Sequence, residues 1–242
     1  MRIRSLSAVF SISLLSTLFL AAVAAPASAQ APTESGFRPL FDGKTLTGWV
    51  QHGGKAKYTI ENGEIVGTSV VGTPNSFLCT DRDYGDFILE VEFKVAPELN
   101  SGIQIRSQVF NEPKELMYQG KPLLVEGKPR TVEAGRVHGY QVEIDPSDRA
   151  WSGGIYDEGR RGWLFNLKDK PEAGKAFKQG EWNKFRVECK GDSIKTFING
   201  VPAADLKDDM TPSGFISLQV HSTKNPKPLE VRWRNIYIKE LK

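Results

Sequence analysis

The sequence is poor in the residues that build metal and redox centres. Its 242 residues include only two cysteines, Cys79 and Cys189, and three histidines, His52, His138 and His221. Two cysteines make neither a zinc constellation nor a disulfide framework. Cys189 shares strand parity with Phe185 and Val187, which favours a buried free thiol over a bridge. Basic clusters are missing too. Without Arg2 and Arg4 of the opening segment, 30 basic residues stand against 29 acidic ones, a formal charge of +1. Nucleic-acid binding normally leaves a basic stripe, so no such partner is expected. No window keeps an amphipathic helical period for the ~10–12 residues a helix needs. After the apolar run from Leu6 to Val23, no second run is long enough to cross a bilayer.

That single apolar run follows Arg2 and Arg4 and leads through Pro26 to Ala27-Ser28-Ala29, a small-residue cleavage site before Gln30. Residues 1–29 therefore read as a secretory signal peptide rather than a retained anchor. Residues 30–36 read as a flexible linker and 37–242 as one domain. A periplasmic or secreted product is expected, free of the membrane once the leader is removed. Oligomeric state is not legible.

What the chain does have is short alternating segments punctuated by Gly, Asn and Asp. Phe87 to Val95 sends Phe87, Leu89, Val91, Phe93 and Val95 one way and Glu90, Glu92 and Lys94 the other. Asn62-Gly63 and Asn199-Gly200 are two-residue hairpin signals. Roughly a dozen strands at this spacing predict an all-β sandwich of two antiparallel sheets. Between Ser107 and about Arg136 no strand or helix pattern holds. A connection longer than ~12–15 residues reads as a flap over a site, or as surface decoration.

Gly139 to Asp145 is the most informative strand. Its parity puts Tyr140, Val142 and Ile144 on a core face and Gln141, Glu143 and Asp145 on the other. Three other segments offer similar polar rows: Glu90 and Glu92, Gln104 and Arg106, Gln219 and His221. If the strands are neighbours, these nine residues form one polar floor able to hold a sugar. The competing reading is a solvated sheet face with cross-strand ion pairs. Gln and His, where an ordinary exposed face favours Lys, Glu and Thr, tip the balance towards a cleft. Tyr156 and Trp163 could stack on a sugar ring, although such aromatics also serve as core. His138 is expected in a flanking loop and His52 in a turn.

The blocks LFDGKTLTGW, YTIENGEIVG, DFILEVEFKV, NSGIQIRSQ, GYQVEIDPSDRAWSGGIY, EWNKFRVECKGDSIKTFINGVP, GFISLQVHS and VRWRNIYIKEL together resemble the 3-keto-disaccharide hydrolase family. The resemblance spans about Phe37 to Leu241. It implies a concanavalin-like jelly-roll sandwich with a concave polar cleft, acting as hydrolase, lyase or hydratase on glycosides oxidised at carbon 3. On such a substrate, the oxidised disaccharide or glycoside, His221 is the expected base and Glu143 the acid, or the reverse. Arg106 is the expected enolate stabiliser. Gln104, Gln141, Asp145, Gln219, Glu92, Trp163 and Tyr156 are the expected binding residues. A divalent ion held by His221 with Glu143 or Asp145 is a further option.

Other readings use the same fold. Glu143-Ile144-Asp145-Pro146-Ser147-Asp148 approaches the E-x-D-x-x-E signature of family-16 glycoside hydrolases, whose carboxyls must lie about 5–5.5 Å apart. Asp148 is one methylene short for that. A non-catalytic carbohydrate-binding module and a laminin-G-like interaction domain are the remaining alternatives.

Overall fold

The computed structural model describes residues 32–242, and the expected signal peptide lies outside them. Alternation along the strands resolves into two packed antiparallel sheets. Phe87–Val95 shows why. The five apolar side chains of one face, Phe87, Leu89, Val91, Phe93 and Val95, are buried in a common core while Glu92 and Lys94 face outward, the division that period-two alternation dictates.

One sheet has eight strands, ordered Val201–Lys207, Ser193–Ile198, Asn183–Lys190, Phe87–Val95, Glu230–Glu240, Glu64–Thr68 and Lys57–Glu61, with Arg38–Pro39 added beside Glu230–Glu240. The other has seven, ordered Gly162–Phe165, Ile155–Glu158, Val137–Ile144, Ser101–Val109, Phe215–Val220, Ser76–Thr80 and Trp49–Gly53. Neighbouring strands are mostly distant in sequence, as in a jelly roll. The turns at Asn62-Gly63 and Asn199-Gly200 have positive φ at both residues (51° and 80°, 49° and 84°), the conformation a two-residue hairpin demands. One short helix, Pro171–Ala176, packs against the Val201–Lys207 strand. Among the described residues no helix is long and apolar enough to cross a membrane.

Between the sheets lie Leu89, Phe93, Ile103, Ile105, Tyr140, Val142, Phe185, Val187, Leu218 and Trp233, all fully buried. Each such side chain stabilises the fold by about 1.5–3 kcal/mol relative to exposure. Cys189 belongs to this core. Cys79 sits in a separate cluster with Phe77, Val137 and Phe215, and both thiols are free. The Ser76–Thr80 strand is buried throughout, so its sequence carries no alternation to betray it.

The outer face of the eight-stranded sheet is a lattice of ion pairs. Glu90 meets Lys184 at 2.5 Å and Arg186 at 3.0 Å, and Glu92 meets Arg234 at 2.7 Å. Arg232 contacts Glu61, Glu64 and Glu230. Glu34, in the expected linker, reaches Lys239 at 2.8 Å. Glu90 and Glu92 therefore do not join a polar floor with Gln141 and Glu143. They are on the other sheet, because alternation reveals that a strand has a polar face but not which sheet it enters.

The 107–136 connection is not structureless. It folds into three minimal ladders: Lys114–Glu115 with Thr131–Val132, Met117–Tyr118 with Lys121–Pro122, and Leu124–Val125 with Lys128–Pro129. Leu116, Leu123 and Val132 give it a small core of its own, against which Phe110 and Met210 pack.

A buried charge cluster closes the neighbouring side of the sandwich. Asp157 is bound by Arg160 and Arg161, and Arg161 also grips Asp208 at 2.9 and 3.0 Å. Asp208 accepts in turn from the Tyr140 hydroxyl, while the Arg160 guanidinium lies over the Tyr140 ring. The edge of the seven-stranded sheet is thereby tied to the loop that follows the Val201–Lys207 strand.

Candidate functional site

The site is organised by a bulge. Opposite Gly139, the Ser101–Val109 strand carries one residue too many, and Arg106 takes the left-handed conformation with φ 45°. A side chain at Gly139 would meet Ser107 at 2.4 Å and one at Gly214 would meet Ser107 at 2.3 Å, so the bulged backbone leaves room only for glycine at both positions. The extra residue resets parity. Gln104 and Ser107 share the outer face, while Arg106 turns inward and is fully buried. Its guanidinium donates to the carbonyls of Gly85 and Gly191 and to the Asp86 carboxylate. Arg106 is thus a strut between the sheets and not an enolate stabiliser, a correction that simple alternation could not supply.

Below the cleft floor lies a directed chain of amides. Ser107 donates to Gln104 Oε1, and Gln104 and Gln219 each donate to Gln141 Oε1 at 2.7 Å. Gln141 Nε2 then donates to Glu143 Oε2 at 2.7 Å. The Gln141 side chain crosses Gly102, where a Cβ would approach it to 2.5 Å. Two donors on its carbonyl polarise its amide, which strengthens the bond to Glu143. Asn100 fills the other Glu143 oxygen at 2.7 Å, and Arg149 approaches that same oxygen at 3.3 Å.

Above this floor opens a cleft of about 660 Å³. Glu143, Asp145, Arg149, Tyr156, Trp163 and His221 all line it. Trp163 stands edge-on to both Trp151 and Tyr156, and the Arg149 guanidinium lies over Trp151 and Trp163 at 4.8 and 5.0 Å. Arg149 also bonds Asp145 at 2.7 Å. The two acids are driven apart. Burial raises the Glu143 pKa despite its amide donors and Arg149. Burial acts on Asp145 too, but Ser147 and Arg149 outweigh it and hold that carboxyl below its usual range. His221 Nδ1 lies 2.8 Å from the Ser222 carbonyl, and Asn75 anchors this turn by accepting from the Ser222 N–H.

Of the residues expected from sequence, the structure brings Glu143, Asp145, Gln141, Tyr156, Trp163 and His221 to one cleft and sets Gln104 and Gln219 beneath it. Arg106 and Glu92 lie elsewhere. Asn100, Arg149 and Glu158 went unanticipated, the first two because they stand in loops without periodicity. Asp148 is exposed outside the cleft wall, so the family-16 carboxylate arrangement is not assembled. His138 is no loop residue: it is buried within the central strand, beside Phe110, and neither ring nitrogen has a partner among the described residues. His52 lies in the Trp49–Gly53 strand and stacks on Phe215. A divalent ion does not fit the cleft. Asp145 is committed to Ser147 and Arg149, Glu143 to Asn100, Gln141 and Arg149, and no three His, Cys, Asp or Glu side chains converge among the described residues.

The fold recurs in solved structures. A protein from Parabacteroides distasonis assigned as a glycosyl hydrolase superposes with a TM-score of 0.53 at 18% identity, over 86% of this chain and 94% of that one. The carbohydrate-binding module CBM66 from Bacillus subtilis gives 0.54 at 15% identity, over 80% and 96%. A galectin-like protein of unknown function from Bacillus subtilis gives 0.55 at 11% identity, over 84% and 94%. At these identities the likeness is one of fold. No curated protein matches the chain. The model of one family covers residues 36–239, both sheets and the whole cleft, and by that match the chain belongs to the 3-keto-alpha-glucoside-1,2-lyase-like domain family.

Proposed function

We propose that the cleft takes a glycoside carrying a ketone at carbon 3 of one sugar ring and breaks its glycosidic bond by β-elimination. The ketone acidifies carbon 2. A base removes that proton, the electron pair forms the C1=C2 bond, the bond from carbon 1 to the glycosidic oxygen breaks, and an acid protonates the departing oxygen. Addition of water across the resulting enone completes a net hydrolysis; release of the enone would be the lyase outcome.

His221 serves as the base. The Ser222 carbonyl beside Nδ1 can only accept, so Nδ1 carries the proton and Nε2 keeps the lone pair. Glu143 serves as the acid, since burial favours its protonated form. Arg149 takes the part expected of Arg106 and supplies positive charge for the enolate oxygen. Tyr156 and Trp163 offer ring faces for the sugar, Asp145 orients Arg149, and Gln104 and Gln219 act through Gln141.

The observation that carries this reading is the gathering of His221, Glu143 and Arg149 around one aromatic-walled cleft in a chain of this family. We assign the reaction to the periplasm or the outside of the cell, because residues 1–29 read as a secretory leader in the sequence. The test is turnover of a 3-keto-disaccharide followed by released sugar and enone absorbance. His221→Ala should lower kcat by at least ~100-fold. Undiminished turnover by that variant removes the base assignment. Binding of unoxidised glycan with no turnover of the keto form would make the protein a binding module instead.

A further inference from the structure

The main cleft does not end at His221. A second lobe of about 520 Å³ adjoins it, and Asn75 and Glu158 line both. Each lobe falls within the ~300–1,000 Å³ typical of small-molecule sites. The second is built differently from the first. Phe77 and Val137, which belong to the small apolar cluster on this face of the sheet, supply an apolar wall. Arg136 faces it from the base of the 107–136 insertion.

Glu158 is the informative residue. Its side chain is only 13% exposed, yet neither oxygen has a hydrogen-bond partner among the described residues; its nearest cation, Arg136 Nη2, is 3.7 Å away. An ion pair that long leaves both groups free to bond a third party. A carboxylate and a guanidinium beside an apolar wall match the two aspects of a pyranose, its hydroxyl edge and its C–H face. Among the described residues no other side chain forms a hydrogen bond or ion pair with either group.

We propose that the second lobe is the leaving-group subsite. It holds the intact, unoxidised sugar ring on the far side of the scissile bond, with Glu158 and Arg136 taking its hydroxyls and Phe77 and Val137 its ring face. The assignment rests on the reading of the main cleft as the keto-sugar site. It adds that the enzyme distinguishes disaccharides from glycosides with small leaving groups.

The test compares kcat/KM for a 3-keto-disaccharide with that for the methyl 3-keto-glucoside. Arg136→Ala and Glu158→Gln should each lower the ratio of the two by about 10-fold, the loss expected for one hydrogen bond to a charged group, and a lobe-filling Ala134→Trp should lower it at least as far by occupying the space of the ring. Circular dichroism checks that each variant is folded. An unchanged ratio in all three overturns the proposal, as does an equal loss on both substrates. If the parent protein turns over neither substrate, calorimetry with unoxidised disaccharide and methyl glucoside separates the two readings. Tighter binding of the disaccharide that disappears in the three variants keeps the lobe as a sugar subsite while the reaction fails. Equal affinities for the two ligands overturn the lobe as well.

Discussion

Gln141 is the residue on which the site turns, because it converts two buried amides into one strong donor aimed at Glu143. Gln141→Leu would leave the Gln104 and Gln219 amide hydrogens buried with no acceptor. Each orphaned donor costs about 1–3 kcal/mol, so urea denaturation should show a loss of about 2–6 kcal/mol. Parental stability in that variant would mean the chain of amides is ornamental. His138 gives a second prediction at this scale. Burial, with Arg160, Arg136 and Lys114 nearby, lowers its pKa from 6.5 to about 4. The unfolded chain therefore binds a proton that the folded one refuses. The associated stability is complete above pH 6.5 and declines as pH falls towards 4, by about 3 kcal/mol in all. His138→Leu should flatten the stability profile across that window, measured by denaturation at a series of pH values.

At the scale of the strand, the legible part of the site was its parity. Alternation correctly paired Gln141 with Glu143 and sent Tyr140, Val142 and Ile144 to the core, because a strand has only two faces. It misplaced Arg106 because one inserted residue reverses every assignment after it, and nothing local in NSGIQIRSQ announces a bulge. The glycines that permit it lie far off in sequence, Gly139 in the central strand and Gly214 just before the Phe215–Val220 strand. It misplaced Glu92 for a different reason, since the sheet a strand joins is decided by long-range pairing. Arg149 and Asn100 lie in connections, where no period exists to read. Arg106→Lys separates these roles experimentally. A lysine cannot satisfy Gly85, Gly191 and Asp86 together, so the fold should lose about 2–4 kcal/mol. The folded fraction should keep its kcat, and a selective loss of kcat without loss of stability would return Arg106 to the chemistry.

For the whole molecule, the two-sheet architecture and its Asn-Gly hairpins were legible, and the fate of the cysteines follows from them. Cys189 lies between the sheets while Cys79 belongs to the cluster on the cleft side of the seven-stranded sheet, so a layer of backbone separates them. Burial pushes both thiols up to about 12, which leaves almost no thiolate at pH 8. A chromogenic disulfide reagent should find no reactive thiol in the native protein and two after denaturation. Rapid labelling of either thiol without denaturant would contradict their burial.

The charge cluster around Asp157 has a consequence for how ligands are chosen. It welds to the far sheet the strand that presents Tyr156 and Glu158, whose neighbour at the sheet edge carries Trp163. A guest arriving at that wall meets a casting already set. Recognition there works as a gauge works, passing what fits and refusing what does not, with little adjustment to reward a poor match.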